Sequence, residues 1–196
     1  MLLYYSDASP YARLVRVTAR ELEVDGLNEV CCSPFDDEIR QSNPLGKVPF
    51  LLLGSGQTLV DSQLICHYLD SEFGNHTLHL PLAQHWGRQN LNMVLQGLLD
   101  AAVALRVEHT RADEGTSSDF WQQRYLNGLE AGLVEVERSL SLLPEEWAIL
   151  DIKLACLLEY LDFRHPDFGW RKRFDKLKAW HEANHDRASL IATRPQ

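Results

Sequence analysis

The hydrophobic pattern of this chain changes once, near residue 81, and that change limits the folds open to it. Before it, short apolar runs suited to strands alternate with segments of helical period, whereas after it only helical periods remain. Residues 1–75 therefore predict an α/β domain with the element order β-α-β-α-β-β-α. Residues 82–196 predict an all-α domain, and the stretch NHTLHLPL, residues 75–82, is the predicted linker.

Periodicity and turn residues place the individual elements. Strands are predicted at residues 2–6, 28–32, 48–54 and 57–60, the last two joined by a Gly-Ser-Gly hairpin turn. Helices are predicted at 10–24, 36–41, 64–74, 82–111, 119–143, 149–164 and 174–184. The helix at 149–164 is apolar nearly all round, so it should be buried.

Charge and composition exclude several classes of partner. The net charge of −9 argues against nucleic acid and against an anionic membrane surface, since both attract basic proteins. No apolar run approaches the ~20 residues of a membrane span, and the first ten residues do not have the pattern of a signal peptide. The four cysteines and the histidines form no metal-ligand spacing. We therefore expect a cytoplasmic protein without a metal, whose cysteines act as small apolar residues.

Ser9-Pro10 lies where the first predicted strand gives way to the first helix. Ser suits the N-cap and Pro suits the first helical position, so a simple helix start is one interpretation. The segment SPYA stands where glutaredoxin-like proteins of this strand order carry CPYC, and the absence of both sulfurs excludes dithiol exchange. The helix N-terminus still offers free N–H groups and partial positive charge, which stabilise a thiolate. The second interpretation is that Ser9 donates its O–H to the thiolate of a substrate.

Val48-Pro49 opens the third predicted strand, after a loop shaped by Asn43, Pro44 and Gly46. A proline at the first position of a strand can be an ordinary edge proline. A cis peptide bond is the sharper hypothesis, because it would hold the N–H and C=O of Val48 outward. Those groups could then pair in antiparallel fashion with a peptide-like ligand.

Asp61-Ser62 opens the helix that follows the hairpin. Both residue types are ordinary N-caps, which is the plain interpretation. Alternatively, the hydroxyl and N–H of Ser62 bind a carboxylate at the helix N-terminus, while Asp61 holds an ammonium group. Together with the features at Ser9 and Val48, this describes a ligand with an amino-acid head, a peptide bond and a thiol. Glutathione has all three.

The residues that carry these features resemble the soluble glutathione S-transferase family over almost the whole chain. The resemblance lies in SPYARLVR (9–16), NPLGKVPFL (43–51), LVDSQLICHYLD (59–70), LLDAAVALRVE (98–108) and YLDFRHPDFGW (160–170). The Ser-Pro-Tyr turn is typical of small bacterial members. The resemblance implies a thioredoxin-like N-terminal domain, a helical C-terminal domain, a homodimer and a role in detoxification.

The resemblance also implies roles for individual residues. Ser9 would activate the thiol, Val48 would pair through its backbone with the cysteinyl unit, and Asp61 with Ser62 would hold the γ-glutamyl group. A cis peptide bond at Pro49 is expected. Tyr5 is the second candidate for thiol activation, because some branches of the family use a tyrosine at the end of the first strand.

Further candidates are less well defined. The glycine carboxylate of glutathione needs a donor, for which Arg40, Lys47 or a backbone contact around Pro34 are the candidates. On the first long helix, Asp100 would either face solvent or extend toward the partner's glutathione. Farther along the same helix, Arg106 and His109 are expected to border the pocket for the electrophile.

The function that these features favour is transfer of the glutathione thiolate to a small electrophile, or reduction of a peroxide by the same thiolate. The alternative is a non-catalytic module of the same fold that binds a protein partner. A thiol reductase is disfavoured, since the reductase branches carry Cys at the place of Ser9. One departure concerns stability: the family usually has Ser or Thr at the place of Ala148, where it forms a capping box with Asp151.

Overall fold

The computed structural model describes residues 1–37, 39–112 and 114–195, and its elements confirm the predicted fold class. The strand-containing part consists of β1 (Leu2–Tyr5), α1 (Pro10–Glu21), β2 (Asn28–Cys31), α2 (Ile39–Ser42), β3 (Phe50–Leu52), β4 (Thr58–Val60) and α3 (Ser62–Phe73). The helical part consists of α4 (Trp86–Ala112), α5 (Asp119–Arg138), α6 (Ile149–Arg164), α7 (Asp175–Asn184) and α8 (Ala188–Ile191). Residue 38, within the predicted helix 36–41, lies outside the described residues.

The four strands form one mixed sheet in the order β2-β1-β3-β4. β1 runs parallel to β2 and antiparallel to β3, and β3 runs antiparallel to β4. Tyr4, Phe50 and Val60 stand side by side in one row across β1, β3 and β4. In this row the ring of Tyr4 stacks on that of Phe50, with centroids 4.4 Å apart. The predicted strand at 48–54 is shorter in the structure.

Helices α1 and α3 pack against each other within the first unit. Apolar side chains of α1, including Leu14, Val15 and Val17, are fully buried, as their helical spacing predicts. The hydroxyl of Thr18 donates to the carbonyl of Leu14 and lies 3.3 Å from the sulfur of Cys66.

The cysteines follow the predicted packing only in part. Cys66 and Cys156 are buried, as expected for small apolar residues. Cys31 at the end of β2 is exposed, because β2 is an edge strand, and Cys32 is half-buried. The thiol of Cys32 lies 3.6 Å from the carbonyl of Tyr5, and burial raises its pKa.

In the second unit, α4 packs against both α5 and α6. The prediction that α6 is buried is confirmed, since nearly all of its residues are shielded from solvent. At its start the N–H of Ala148 donates to the carboxylate of Asp151 over 3.0 Å. The methyl group of Ala148 has no oxygen to return a bond, so half of the capping box is present. Among the described residues, no helix is long and apolar enough to cross a membrane.

The chain divides into two compact units, and the division differs from the sequence prediction at one place. The first unit is Met1–Leu80 together with the segment from Arg187 onward, and the second is Pro81–Asp186. The sequence prediction counts residues 187–196 with the helical domain. In the structure Arg187 pairs with Glu21 over 2.6 Å, and the buried guanidinium of Arg13 donates to the carbonyl of Leu190. These polar contacts attach the segment to α1.

Candidate functional site

The sheet topology brings three of the predicted site segments to one edge. β1 ends at this edge, and the loop to Ser9 follows it. Because β3 is antiparallel to β1, its beginning lies at the same edge, directly after Val48-Pro49. β4 is antiparallel to β3, so it ends there too and leads into Asp61-Ser62. The helices α1 and α3 therefore both begin at this edge of the first unit.

Ser9 is the N-cap of α1. Its backbone is extended, and its Oγ accepts a hydrogen bond from the N–H of Ala12 over 3.2 Å. Pro10 occupies the start of the helix, as predicted. In this cap the hydroxyl of Ser9 acts as an acceptor, and no described residue accepts the proton of the same hydroxyl. Ser9 therefore combines a structural role with a free O–H donor at a helix N-terminus.

The peptide bond between Val48 and Pro49 is cis, which confirms the sequence expectation. The loop before it is held by Asn43, a buried residue whose side-chain amide donates to the carbonyl of Lys47 over 2.7 Å. The Oδ1 atom of Asn43 in turn accepts from the N–H of Leu45. Within the described part of the chain, no group forms a hydrogen bond with the backbone N–H or C=O of Val48. These two groups are available to an extended ligand.

Asp61 is the N-cap of α3, and its Oδ1 accepts from the N–H of Gln63 over 2.8 Å. Its φ of 76° is uncommon for a residue other than glycine, and such backbone is often found at binding sites. Ser62 is buried, and no described residue bonds to its hydroxyl or its N–H. The first turn of α3 thus presents an N–H, a hydroxyl and, from Asp61, a carboxylate. The φ of Asp61 was not foreseen from the sequence.

Tyr5 ends β1 beside α1. The guanidinium of Arg16 lies over its ring, 4.1 Å from the centroid. Burial raises the pKa of the Tyr5 phenol, against the opposing effect of Arg16. Arg16 itself is fixed by ion pairs with Asp7 and Glu29. The phenol is consequently harder to ionise than a free tyrosine.

The candidates for the glycine carboxylate lie on the loops between β2 and β3. Pro34 is exposed and follows the end of β2 at the same sheet edge. The guanidinium of Arg40 covers Gly46, where an added Cβ would lie 3.0 Å from Nη1. Lys47 is exposed, and its carbonyl accepts from Asn43. Arg40 and Lys47 therefore flank the loop that leads to Val48.

Asp100 and Arg106 belong to α4 in the second unit, where both are exposed. The Oδ1 atom of Asp100 accepts from the side-chain amide of Gln96 over 3.1 Å.

His165, at the end of α6, is a buried polar residue that the sequence did not indicate. Its Nε2 donates to the carbonyl of Ala102 over 2.8 Å. No signal in the sequence marks this residue, because its hydrogen bond depends on Ala102, which lies 63 positions earlier on α4.

Across the described residues, no group of three or more His, Cys, Asp or Glu side chains could hold a metal ion.

Comparison with known proteins agrees with this arrangement. A mixed four-stranded sheet with its helices, followed by a helical unit, is the glutathione S-transferase fold. Residues 3–77 match the glutathione S-transferase N-terminal domain, and residues 119–183 match the glutathione S-transferase C-terminal domain. The chain belongs to the glutathione S-transferase family.

Individual relatives are similar over their full length. The chain is 27% identical to the uncharacterized GST-like protein YibF of Escherichia coli strain K12, covering 100% of this chain and 98% of YibF. It is 33% identical to a glutathione S-transferase from Methylobacillus flagellatus KT, solved with glutathione bound, with a TM-score of 0.90 and coverage of 100% and 99%. A glutathione transferase family member from Pseudomonas fluorescens Pf-5, also with bound glutathione, is 33% identical, with a TM-score of 0.90 and coverage of 100% and 98%.

Proposed function

We propose that this protein binds glutathione and transfers the glutathionyl group to a small electrophile, with the glutathione sulfur forming the new bond. The observation that carries the proposal is the sheet edge where the unpaired groups of Ser9, Val48 and Ser62 occur together. Glutathione matches them with a thiol, a peptide backbone and an amino-acid head. Relatives solved with glutathione bound support this ligand. Among the described residues no two cysteines form a disulfide with each other, which suits a reducing compartment where glutathione is abundant.

In this proposal Ser9 donates its O–H to the glutathione thiolate. The donation lowers the pKa of the bound thiol, and the N-terminus of α1 stabilises the same charge. The sulfur then attacks the electrophile, so that an S–C bond forms, the leaving group departs with its electron pair and the thiol proton passes to solvent. Ser9 is a better candidate than Tyr5, because its O–H stands at the N-terminus of α1 without a described acceptor, whereas Arg16 covers the ring of Tyr5.

The rest of glutathione is assigned by chemistry. The N–H and C=O of Val48 pair with the backbone of the cysteinyl unit. The hydroxyl and N–H of Ser62 bind the γ-glutamyl carboxylate at the N-terminus of α3, and Asp61 accepts from the ammonium group. Arg40 and Lys47 are the candidate donors to the glycine carboxylate, and a backbone N–H of a residue beside Pro34, which has none of its own, is the third.

We also propose that the protein is a homodimer that uses the exposed side of α4 and α5. An open cavity of about 910 Å³ lies there, lined by residues that include Ala101, Phe120, Tyr125 and Gly128. Phe120 is 68% exposed, so the surface is partly apolar. Light scattering at micromolar concentration should give twice the mass of the chain, and a monomer would contradict the proposal.

Isothermal titration calorimetry with glutathione tests the proposed function. We expect Ser62→Ala to weaken binding about ten- to a hundredfold, because it removes a hydrogen bond to a charged group. Asp61→Asn should also weaken binding, since it removes the charge facing the ammonium. Ser55→Ala, in the exposed hairpin turn, is the matched control and should bind normally. The absence of heat with the wild-type protein at millimolar glutathione would overturn the proposal in favour of a non-catalytic module.

A further inference from the structure

Asn43 is a buried polar residue in the loop that leads to Val48, and only 1% of its surface is exposed. Its backbone is bonded on both sides. The N–H of Asn43 donates to the carbonyl of Ile39 in α2 over 2.8 Å, and its carbonyl accepts from the N–H of Gly46 over 2.9 Å. Both backbone groups of Asn43 are therefore satisfied within the first unit.

The side-chain amide of Asn43 spans the same loop. Its Nδ2 donates to the carbonyl of Lys47 over 2.7 Å, and its Oδ1 accepts from the N–H of Leu45 over 3.0 Å. Turning the amide over would place Oδ1 against the carbonyl of Lys47 and Nδ2 against the N–H of Leu45, so that two donors and two acceptors would face each other. The two partners therefore fix one orientation of the side chain.

The carbonyl of Lys47 and the N–H of Val48 belong to one peptide unit, which is trans. In a planar trans unit these two groups point in opposite directions. Because the carbonyl faces the buried side chain of Asn43, the N–H of Val48 points away from it. A hydrogen bond at the carbonyl also polarises the unit and strengthens its N–H as a donor. Asn43 thus sets the direction and the strength of a donor that no described residue uses.

We propose that Asn43 is a positioning residue that makes the site selective for thiol peptides, in which a carbonyl follows the carbon that carries the thiol side chain. This inference rests on the proposed glutathione binding and names the ligand group that the loop selects. In antiparallel pairing the N–H of Val48 donates to that carbonyl. A thiol without the carbonyl leaves the N–H of Val48 unpaired in the complex, so it binds more weakly.

Two small thiols test this selectivity. γ-Glutamylcysteine methylamide keeps the carbonyl, whereas γ-glutamylcysteamine has a hydrogen atom in place of the whole carboxamide. Neither contains the glycine carboxylate, so the candidate donors Arg40 and Lys47 have no carboxylate to bind. Both thiols are titrated at millimolar concentration and followed by NMR of the backbone amides. The wild type should bind the methylamide about three- to tenfold more tightly, and only the methylamide should shift the Val48 amide proton downfield.

Asn43→Asp keeps the acceptor for the N–H of Leu45 and replaces the donor to Lys47 by an oxygen. This variant should bring the ratio of the two affinities toward one and remove the downfield shift of the Val48 amide proton. Asn28→Asp makes the same change at an exposed position at the start of β2, and it should leave the ratio as in the wild type. If Asn43→Asp does not fold, Asn43→Ser takes its place, because it lacks the amide donor and adds no charge.

A ratio near one in the wild type, or the same preference in Asn43→Asp as in the wild type, would overturn the proposal. An equal loss of affinity for both thiols would also overturn it, since that result indicates a purely structural role. Failure of the proposed function is a separate result, in which the wild type binds neither thiol and no glutathione.

In that case residual dipolar couplings of the free protein decide on the positioning. The orientation of the Val48 N–H should differ between the wild type and Asn43→Asp, and it should agree between the wild type and Asn28→Asp. An unchanged orientation in Asn43→Asp would overturn the proposal.

Discussion

Replacing Ser9 by Ala removes two interactions made by one hydroxyl. The first is the cap, in which Oγ accepts from the N–H of Ala12 over 3.2 Å, and losing it should lower the free energy of unfolding by about 1 kcal/mol. The second is the proposed donation to the glutathione thiolate. A hydrogen bond to a charged group contributes about 1.5–3 kcal/mol. Since one pKa unit corresponds to about 1.4 kcal/mol, the pKa of the bound thiol should rise by about 1 to 2 units in Ser9→Ala.

The assay is the pH dependence of the rate at saturating glutathione, with the thiolate followed by its ultraviolet absorbance. Below the pKa of the bound thiol in the wild type, Ser9→Ala should be slower by about ten- to a hundredfold, because the thiolate fraction falls by that factor. At alkaline pH the thiol is ionised in both proteins, so the difference should shrink. A more basic thiolate is also the better nucleophile, which narrows the gap further.

Two variants separate the cap from the chemistry. Ser9→Thr keeps the acceptor and the donor, and should retain most of the stability and the rate. Ser9→Asp keeps the cap but places a carboxylate beside the thiolate, so it should remain stable and lose activity. A loss in Ser9→Ala that is the same at every pH would refute thiol activation by the hydroxyl. A normal profile in Ser9→Ala with a loss in Tyr5→Phe would assign the role to the phenol.

Three predictions concern stability, each measured by denaturant unfolding. Ala148→Ser supplies the hydroxyl that can accept from the N–H of Asp151, so the free energy of unfolding should rise by about 0.5–1 kcal/mol; a decrease would mean that the buried site rejects the oxygen. Glu108→Gln removes the charge that accepts from the N–H of Ser118 and should cost about 1–3 kcal/mol, whereas an unchanged midpoint would count against that role. Burial lowers the pKa of His165 in the folded state, so the unfolded chain takes up its proton first and stability falls as the pH drops below about 6.5. His165→Gln should flatten this fall, and the same slope in the variant would contradict the assignment.

Much of the fold could be predicted because its signals are local. The strands and helices follow from hydrophobic period, and the starts of α1 and α3 follow from Ser9-Pro10 and Asp61-Ser62, whose side chains bond to N–H groups two or three residues away. The order of the strands then brings the segments of Ser9, Val48 and Asp61 to one edge of the sheet. The likeness of SPYA to the CPYC motif of glutaredoxin-like proteins indicated a thiol ligand at this edge. The candidate site could therefore be predicted from the sequence.

What could not be predicted depends on residues far apart in the sequence. The backbone of Asp61 adopts a φ of 76°, which its residue type does not favour. The isolation of Nδ1 in His165 is set by packing against α4. Cys31 was expected to be buried as a small apolar residue, but it is exposed at the end of the edge strand β2. Periodicity describes one element at a time and gives no information on its neighbours.

The attachment of the segment from Arg187 onward to α1 has a consequence for the order of folding. Arg13 is buried, yet Thr193, one of its partners, is 180 residues away along the chain. During synthesis the sheet and α1 leave the ribosome long before this partner exists, and the whole of residues 81–186 is made in between. Until then the nascent first unit lacks the hydrogen bonds that Thr193 and Leu190 accept from this guanidinium. Closing so long a loop is slow, so the first unit, which carries the proposed glutathione site, should be the last part to reach its native state.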